Sequence, residues 1–306
     1  MKILLTGAGG FIGSVFTRAA VAKGHQVAGL LVPQEPVPSG LVENRNTRWL
    51  RGTMDEAPWN EIAEFAPEVC VHTAWVTAPG VYLESPDNYK FLESSIKFLR
   101  KVNENGTNHL VGLGTCIEYQ IGNQKLSEDT TPIAPTTTYS RCKNELRLVM
   151  QADAKRHGFK CCWARVFYPY GPGEHPSRLC SSIIQKLSRG EQIVLKTPNS
   201  TKDYIFIEDL AEALLTVVEK QFEGEINLGT GIGISVREIG DTLAGMMGKP
   251  EAIQEANPPE VDPLGYVVAD PSRLLRLGWR PTHDIAVGLQ SLLNRWQERL
   301  APRTND

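Results

Sequence analysis

The sequence predicts an α/β protein: a doubly wound parallel sheet with a smaller C-terminal α/β portion. Three observations lead there. Apolar, β-rich runs at residues 26–32, 68–73, 109–113 and 161–167 alternate with helix-like segments. That rhythm favours parallel strands joined by right-handed crossovers, with helices on both faces of the sheet. The chain opens on residues 2–13, KILLTGAGGFIG, a short strand running straight into glycines. After Pro169 the rhythm breaks into a loop holding Gly171, Pro172, Gly173 and Pro176, followed by shorter elements.

The glycines after the first strand come at Gly7, Gly10 and Gly13. Gly7 allows a tight turn, and Gly10 lets the main chain approach a pyrophosphate. Gly13 lets the next helix lie against the sheet with its positive N-terminus aimed at the phosphates. That helix carries Ile12, Val15, Phe16, Ala19 and Ala20 on one face, at helical spacing. A dinucleotide site is expected there. Ligands in such sheets sit outside the carboxyl ends of the strands. The loops after Thr6, Thr73, Gly114 and Phe167 should therefore converge on one cleft.

Further along, residues 138–157 form a long helix candidate stopped by Gly158. Its Tyr139 and Lys143, four apart, share a face. An ammonium near a phenol favours the phenolate, so Tyr139 is expected to have a lowered pKa and to serve as acid or base. Thr115, in LGTCIEY (113–119) at a strand end, offers a hydroxyl to a substrate oxygen or to that phenol. Beyond the break come a helix at 177–188 and a strand at 193–196. A second βαβ-like passage follows at 204–208, 209–220 and 225–228. Ser235 and Glu238 make a capping-box pattern, and an amphipathic helix covers 284–300. The expected layout is a dinucleotide domain of residues 1–167, with 203–230 returning to it. Residues 168–202 and 231–306 make the substrate-binding portion.

Composition adds exclusions. A formal charge of −3 over 306 residues gives no electrostatic reason to expect nucleic acid or a membrane surface. The six cysteines lack a CxxC pair, and Cys161 adjoins Cys162, which suits a reduced compartment better than a disulfide framework. The histidines and cysteines lack metal-ligand spacing, so no metal is expected. With no leader or long apolar run in view, a cytoplasmic protein is the expectation.

Taken together, these stretches resemble the extended short-chain dehydrogenase/reductases that act on nucleotide sugars. The likeness runs through the Gly7–Gly13 fingerprint, VHTAW (71–75), Thr115, Tyr139 with Lys143, RVFYPYGPG (165–173), KDYIFIED (202–209) and NLGTG (227–231). It implies Tyr139 as general acid/base, Thr115 polarising the reacting oxygen, and Lys143 holding the nicotinamide ribose while depressing the Tyr139 pKa. It places Gly7, Gly10, Phe11, Ile12, Gly13, Thr53, Met54, Ala74, Trp75, Val166 and Phe167 on the cofactor, with Thr53 and Met54 at the adenine. On the substrate it places Cys116, Tyr168, Arg178 and Lys202, with Lys202 and Arg178 on the nucleotide diphosphate. A homodimer is implied as well.

Departures from the family pattern narrow the reaction. The second strand ends in Leu31 within GLLVPQE, where enzymes selecting NAD usually carry an acid. NADP is therefore expected, with NAD admissible; Arg45, Arg48 or Arg51 could fold back to meet a 2′-phosphate. Cys116 and Ile117 stand where sugar 4,6-dehydratases need an Asp–Glu pair, so water elimination is not expected. The bacterial 4-keto reductases are the nearest look-alikes, through HTAW, GTCIEY and FYPYGPGEHP. The expected activity is NADPH-dependent reduction of a nucleotide-activated 4-keto-6-deoxy sugar. A 4-epimerase holding NAD, or a dinucleotide sensor without turnover, are the alternatives.

Overall fold

The computed structural model describes residues 1–300, with side chains described through residue 298. Its centre is a seven-stranded sheet. In chain order come β1 (Lys2–Thr6), β2 (Gln26–Leu31), β3 (Thr47–Arg51), β4 (Val69–His72), β5 (His109–Thr115), β6 (Lys160–Val166) and a last strand, Gly224–Leu228. From one edge to the other the order is Gly224–Leu228, β6, β5, β4, β1, β2, β3, and every neighbouring pair is parallel. The order reverses between β1 and β4, which opens a crevice at their carboxyl ends. None of the β-rich runs read from the sequence covers β3. Its TRWLR mixes charge with apolar residues because it lies at the sheet edge, with Arg51 in solvent.

Alternate residues of each strand feed opposite faces, since side chains on a strand alternate. Ile3 and Leu5 join a cluster with Phe16, Leu210 and Leu214, under α1 (Phe11–Ala22). Leu4 joins Phe98, Leu146 and Trp163 on the other face. Three helices cover that second face: α2 (Trp59–Phe65), α3 (Asp87–Glu104) and α4 (Thr138–His157). The α4 bounds match the sequence reading because both ends are signalled chemically. Thr137 accepts from Ser140 N at 3.1 Å, and Gly158 closes the helix at φ 75°.

The chain then leaves the sheet. Tyr168–Tyr170 pairs with Tyr204–Phe206, and α5 (Leu179–Ser188) packs in a separate apolar cluster with Leu243, Leu289 and Leu292. It returns through α6 (Ile207–Glu219), which packs beside α1, and ends at Gly224–Leu228 next to β6. Two buried carboxylates fasten the excursion. Asp203 accepts from Thr230 N, Thr230 Oγ1 and Gly231 N at 2.7–2.8 Å, and from Ala269 N at 3.1 Å. Asp209 accepts from Thr282 and His283, residues more than seventy positions later. All six cysteines are free and buried. Among the described residues no cluster suits a metal ion, and no helix is long and apolar enough to cross a membrane.

Candidate active site

At the β1–α1 turn the glycines are structural necessities. Gly7 has φ +67°, and a Cβ there would lie 2.8 Å from Ala74 N. A Cβ on Gly13 would lie 2.2 Å from Gly7 O. The first turn of α1 carries no acidic residue and no side-chain cap, so its amides remain available to an anion. The cradle fits a dinucleotide pyrophosphate.

A cleft of about 700 Å³ opens from this turn. Of the residues assigned to the cofactor, Gly7, Gly10, Phe11, Ile12, Gly13, Thr53, Met54, Ala74 and Trp75 lie on its wall. Val166 and Phe167 do not; both are buried behind it. Arg178 is on the wall, at the N-terminal end of α5.

Thr115, Tyr139 and Lys143 come together beneath that wall, each less than a tenth exposed. Trp75, which is on the wall, and Tyr82 both pack against Tyr139. The Tyr82 ring packs edge-on against Tyr139 at 4.9 Å between centroids, and Tyr139 N donates to Leu83 O at 2.9 Å. Lys143 Nζ donates to Leu113 O at 2.8 Å and sits 4.0 Å from the Trp75 ring centroid, a cation–π contact. The Trp75 indole is itself fixed, donating from Nε1 to Asn88 Oδ1 at 2.8 Å.

The expected lowering of the Tyr139 pKa is not what the geometry produces. Burial pushes the phenol above its ordinary range; Tyr82, Glu118 and Cys116 add to the rise, and a hydrogen bond with Thr115 opposes it. Lys143 does not counter this. Its Nζ is 6.0 Å from the Tyr139 centroid, and burial brings its own pKa down to about 7. Tyr139 thus rests protonated.

Under Thr115 lies a feature the sequence reading missed. Glu118 is fully buried and accepts from Thr115 N at 2.8 Å, Trp163 Nε1 at 3.0 Å and Arg165 Nε at 2.8 Å. Arg165 also donates to Tyr119 Oη at 3.0 Å, and Tyr119 Oη donates to Asn227 Oδ1 at 2.8 Å. Burial alone would lower the Arg165 pKa, but Glu118 beside it raises it on balance. Arg165 therefore stays charged, and its bond to Glu118 pins the turn that carries Thr115. The acid was visible in LGTCIEY; its inward direction depends on Arg165, forty-seven residues away.

The substrate side differs from expectation at Lys202. It is buried, and its ammonium is spent on Asp262 Oδ2 at 2.9 Å and on Leu264 O. A lysine so engaged has no free charge for a diphosphate, and it lies off the cleft wall. Tyr168 is beside it, the Lys202 Nζ 5.7 Å from the ring centroid. Cys116 is buried next to Thr115, and burial raises its thiol pKa to about 12. Arg178 keeps its place in the cleft, near the Tyr82 phenol, whose pKa burial raises. Glu35, Asp55, Glu174 and His175 also line the cleft, and none was singled out from the sequence.

The chain and its fold have counterparts among known proteins. A UDP-glucose 4-epimerase of Mycolicibacterium smegmatis is 25% identical over 94% of this chain and 96% of its own. The structure of Thermus thermophilus UDP-glucose 4-epimerase in complex with NAD superposes with a TM-score of 0.82 at 25% identity, covering 97% of this chain and 99% of that one. A dTDP-glucose 4,6-dehydratase from Streptomyces venezuelae, determined with NAD bound, gives the same TM-score at 21% identity over 97% of each chain. The model of the NAD dependent epimerase/dehydratase family matches residues 3–229, a span that takes in the glycine cradle, Thr115, Tyr139, Lys143 and the returning strand. The chain belongs to the NAD dependent epimerase/dehydratase family.

Proposed function

We propose that this protein reduces the 4-keto group of a nucleotide-activated 4-keto-6-deoxy sugar, using a nicotinamide dinucleotide held along the cleft. The observation that carries the reading is the convergence of Thr115, Tyr139 and Lys143 at a turn whose next two residues, Cys116 and Ile117, offer no acid–base pair. Cys116 is a thiol held neutral by burial, Ile117 is apolar, and Glu118 is locked to Arg165. Elimination of water needs both an acid and a base at that turn; reduction needs one proton donor.

The bound dinucleotide would supply hydride to C4. Tyr139, resting protonated, gives its proton to the sugar oxygen, so the carbonyl becomes a carbinol as the cofactor is oxidised. Thr115 orients that oxygen by hydrogen bonding, and Lys143 holds the nicotinamide ribose. Arg178 binds the nucleotide diphosphate away from the reacting carbon, where remote binding energy can orient the keto group. Residues 1–167 and 203–230 form the cofactor domain, residues 168–202 and 231–306 the substrate portion, and two copies form a dimer. The leucine ending β2 argues for NADP, but Glu35 on the cleft wall argues for NAD.

A second reading is favoured by the epimerase relatives: a 4-epimerase cycling one tightly held NAD. A single assay separates them. Purified protein is offered nucleotide 4-keto-6-deoxy sugars with NADH or NADPH, and separately UDP-glucose with none added. Stoichiometric cofactor oxidation supports the reductase. Conversion of UDP-glucose to its C4 epimer without cofactor consumption replaces it with the epimerase, and turnover in neither arm overturns both.

A further inference from the structure

The last residue of β2, Leu31, is fully buried and presents nothing to a cofactor. Beyond it the chain reads Val32-Pro33-Gln34-Glu35 and turns back at once. Glu35 N donates to Val32 O at 3.0 Å, a four-residue turn with proline in its favoured second place. The side chain closes the same turn from the other side, Val32 N donating to Glu35 Oε2 at 3.3 Å. Arg51, at the end of β3, holds the outside: its Nη1 donates to the carbonyl oxygens of Val32 and Glu35. The carboxylate is thereby delivered onto the glycine loop. A Cβ on Gly9 would lie only 2.1 Å from Glu35 Oε1, and Glu35 lines the cleft with Gly10, Leu30 and Gly52.

We propose that Glu35 accepts the hydrogen bond from the 2′-hydroxyl of the adenosine ribose, and that this protein thereby selects NAD(H) over NADP(H). In doubly wound sheets the adenosine half lies across the carboxyl end of the second strand, and a carboxylate there accepts from the hydroxyl and repels a 2′-phosphate. Here the strand end has lost that acid and a proline turn restores it four residues later. The rival at this corner is Arg51, whose cation would welcome a 2′-phosphate. Its Nη1 is spent on two backbone carbonyls, and it stands outside the cleft wall that Glu35 joins. The inference rests on the dinucleotide site and not on the sugar chemistry, so it fails or survives independently of the ketoreductase reading.

The test is direct binding of NADH and NADPH to the wild-type protein and to Glu35→Gln, read by nicotinamide fluorescence or calorimetry without substrate. The readout is the ratio of the two dissociation constants in one preparation, which cancels any difference in folded fraction. The wild type should bind NADH about 10-fold or more tightly than NADPH, the scale of a hydrogen bond to a charged group. Glu35→Gln should move the ratio towards NADPH by roughly 10- to 100-fold. A wild type that binds NADPH as well as or better than NADH overturns the proposal. So does a Glu35→Gln protein whose ratio is unchanged.

Discussion

Around Gly7, Gly10 and Gly13 the cleft is built from backbone, whereas the substrate side, with Arg178 on the wall and Tyr168 and Lys202 off it, is built from side chains drawn from distant segments. The backbone half needs only that certain Cβ atoms be absent and that one helix begin without a cap. Its parts are contiguous, and their demands are written in one short stretch. In the other half each cation must be matched against whatever acid the topology brings near. Lys202 is paired with Asp262, sixty residues away, inside the fold; Arg178 stays on the cleft wall, with Tyr82 and Glu174 near it. Sequence position alone ranked the two cations together, and the fold separates them.

The sharpest way to break this picture is at the proton donor between the halves. Tyr139→Phe should cut turnover by a factor of about 100 to 10,000, the usual contribution of a general acid, with dinucleotide affinity unchanged. Steady-state kinetics beside a cofactor titration would check it, and retained turnover would remove Tyr139 from its role.

Next in size is the contrast between the two cations. Arg178→Ala should weaken binding of the bare nucleoside diphosphate by about 10- to 150-fold, the cost of one charge-assisted hydrogen bond. Lys202→Met should leave that affinity alone and lower stability instead, by about 1–3 kcal/mol for an uncompensated acid, since Asp262 is partly open to solvent. Calorimetric titration and thermal melts of both variants give four numbers. If Lys202→Met loses the diphosphate as Arg178→Ala does, the two halves are less distinct than argued.

Much of the cofactor half was legible in sequence because glycine spacing and helix caps are local. The 138–157 bounds of α4, with Gly158 as its stop, were legible because helix ends are signalled locally. Glu35 escaped notice because the usual signal is an acid at the strand end itself, and a proline turn had moved it. Glu118 escaped because its partner Arg165 lies on the neighbouring strand, β6. The direction of the Tyr139 pKa was misjudged because i, i+4 spacing gives proximity but not burial. Here burial acts on both groups, raising the phenol and lowering the ammonium.

That burial predicts a pH dependence. Lys143 has a folded pKa of about 7 against an ordinary 10.5. Between these values the unfolded chain holds a proton that the native state does not, so stability should rise with pH across this window. Below about 7 both states are protonated and the lysine imposes its full burial cost. Chemical denaturation without added cofactor, from pH 7 to 10, should show the rise in wild type and a flatter curve in Lys143→Met. An unchanged slope would contradict the assignment of that burial cost to Lys143.

The smallest expected effect concerns Trp75, whose ring lies 4.0 Å from Lys143 Nζ. A desolvated cation–π contact is worth about 2 kcal/mol, or roughly 1.5 pKa units in favour of the charged amine. Trp75→Leu should lower the Lys143 pKa accordingly, and Trp75→Phe, which keeps a π face, should restore most of it. Lysine-selective NMR titration reads this without turnover. Equal values in all three proteins would leave Trp75 as wall and nothing more.

Hydride transfer at C4 with Tyr139 as sole proton donor is most directly tested by isotope. The protein is given a nucleotide-activated 4-keto-6-deoxy sugar and reduced nicotinamide cofactor carrying deuterium at nicotinamide C4, in each stereochemical form. Deuterium is expected at C4 of the product sugar from one of the two forms, with cofactor oxidised in equal amount, and loss of both with Tyr139→Phe. Product that carries no deuterium from either form, or that appears without net cofactor oxidation, would contradict it.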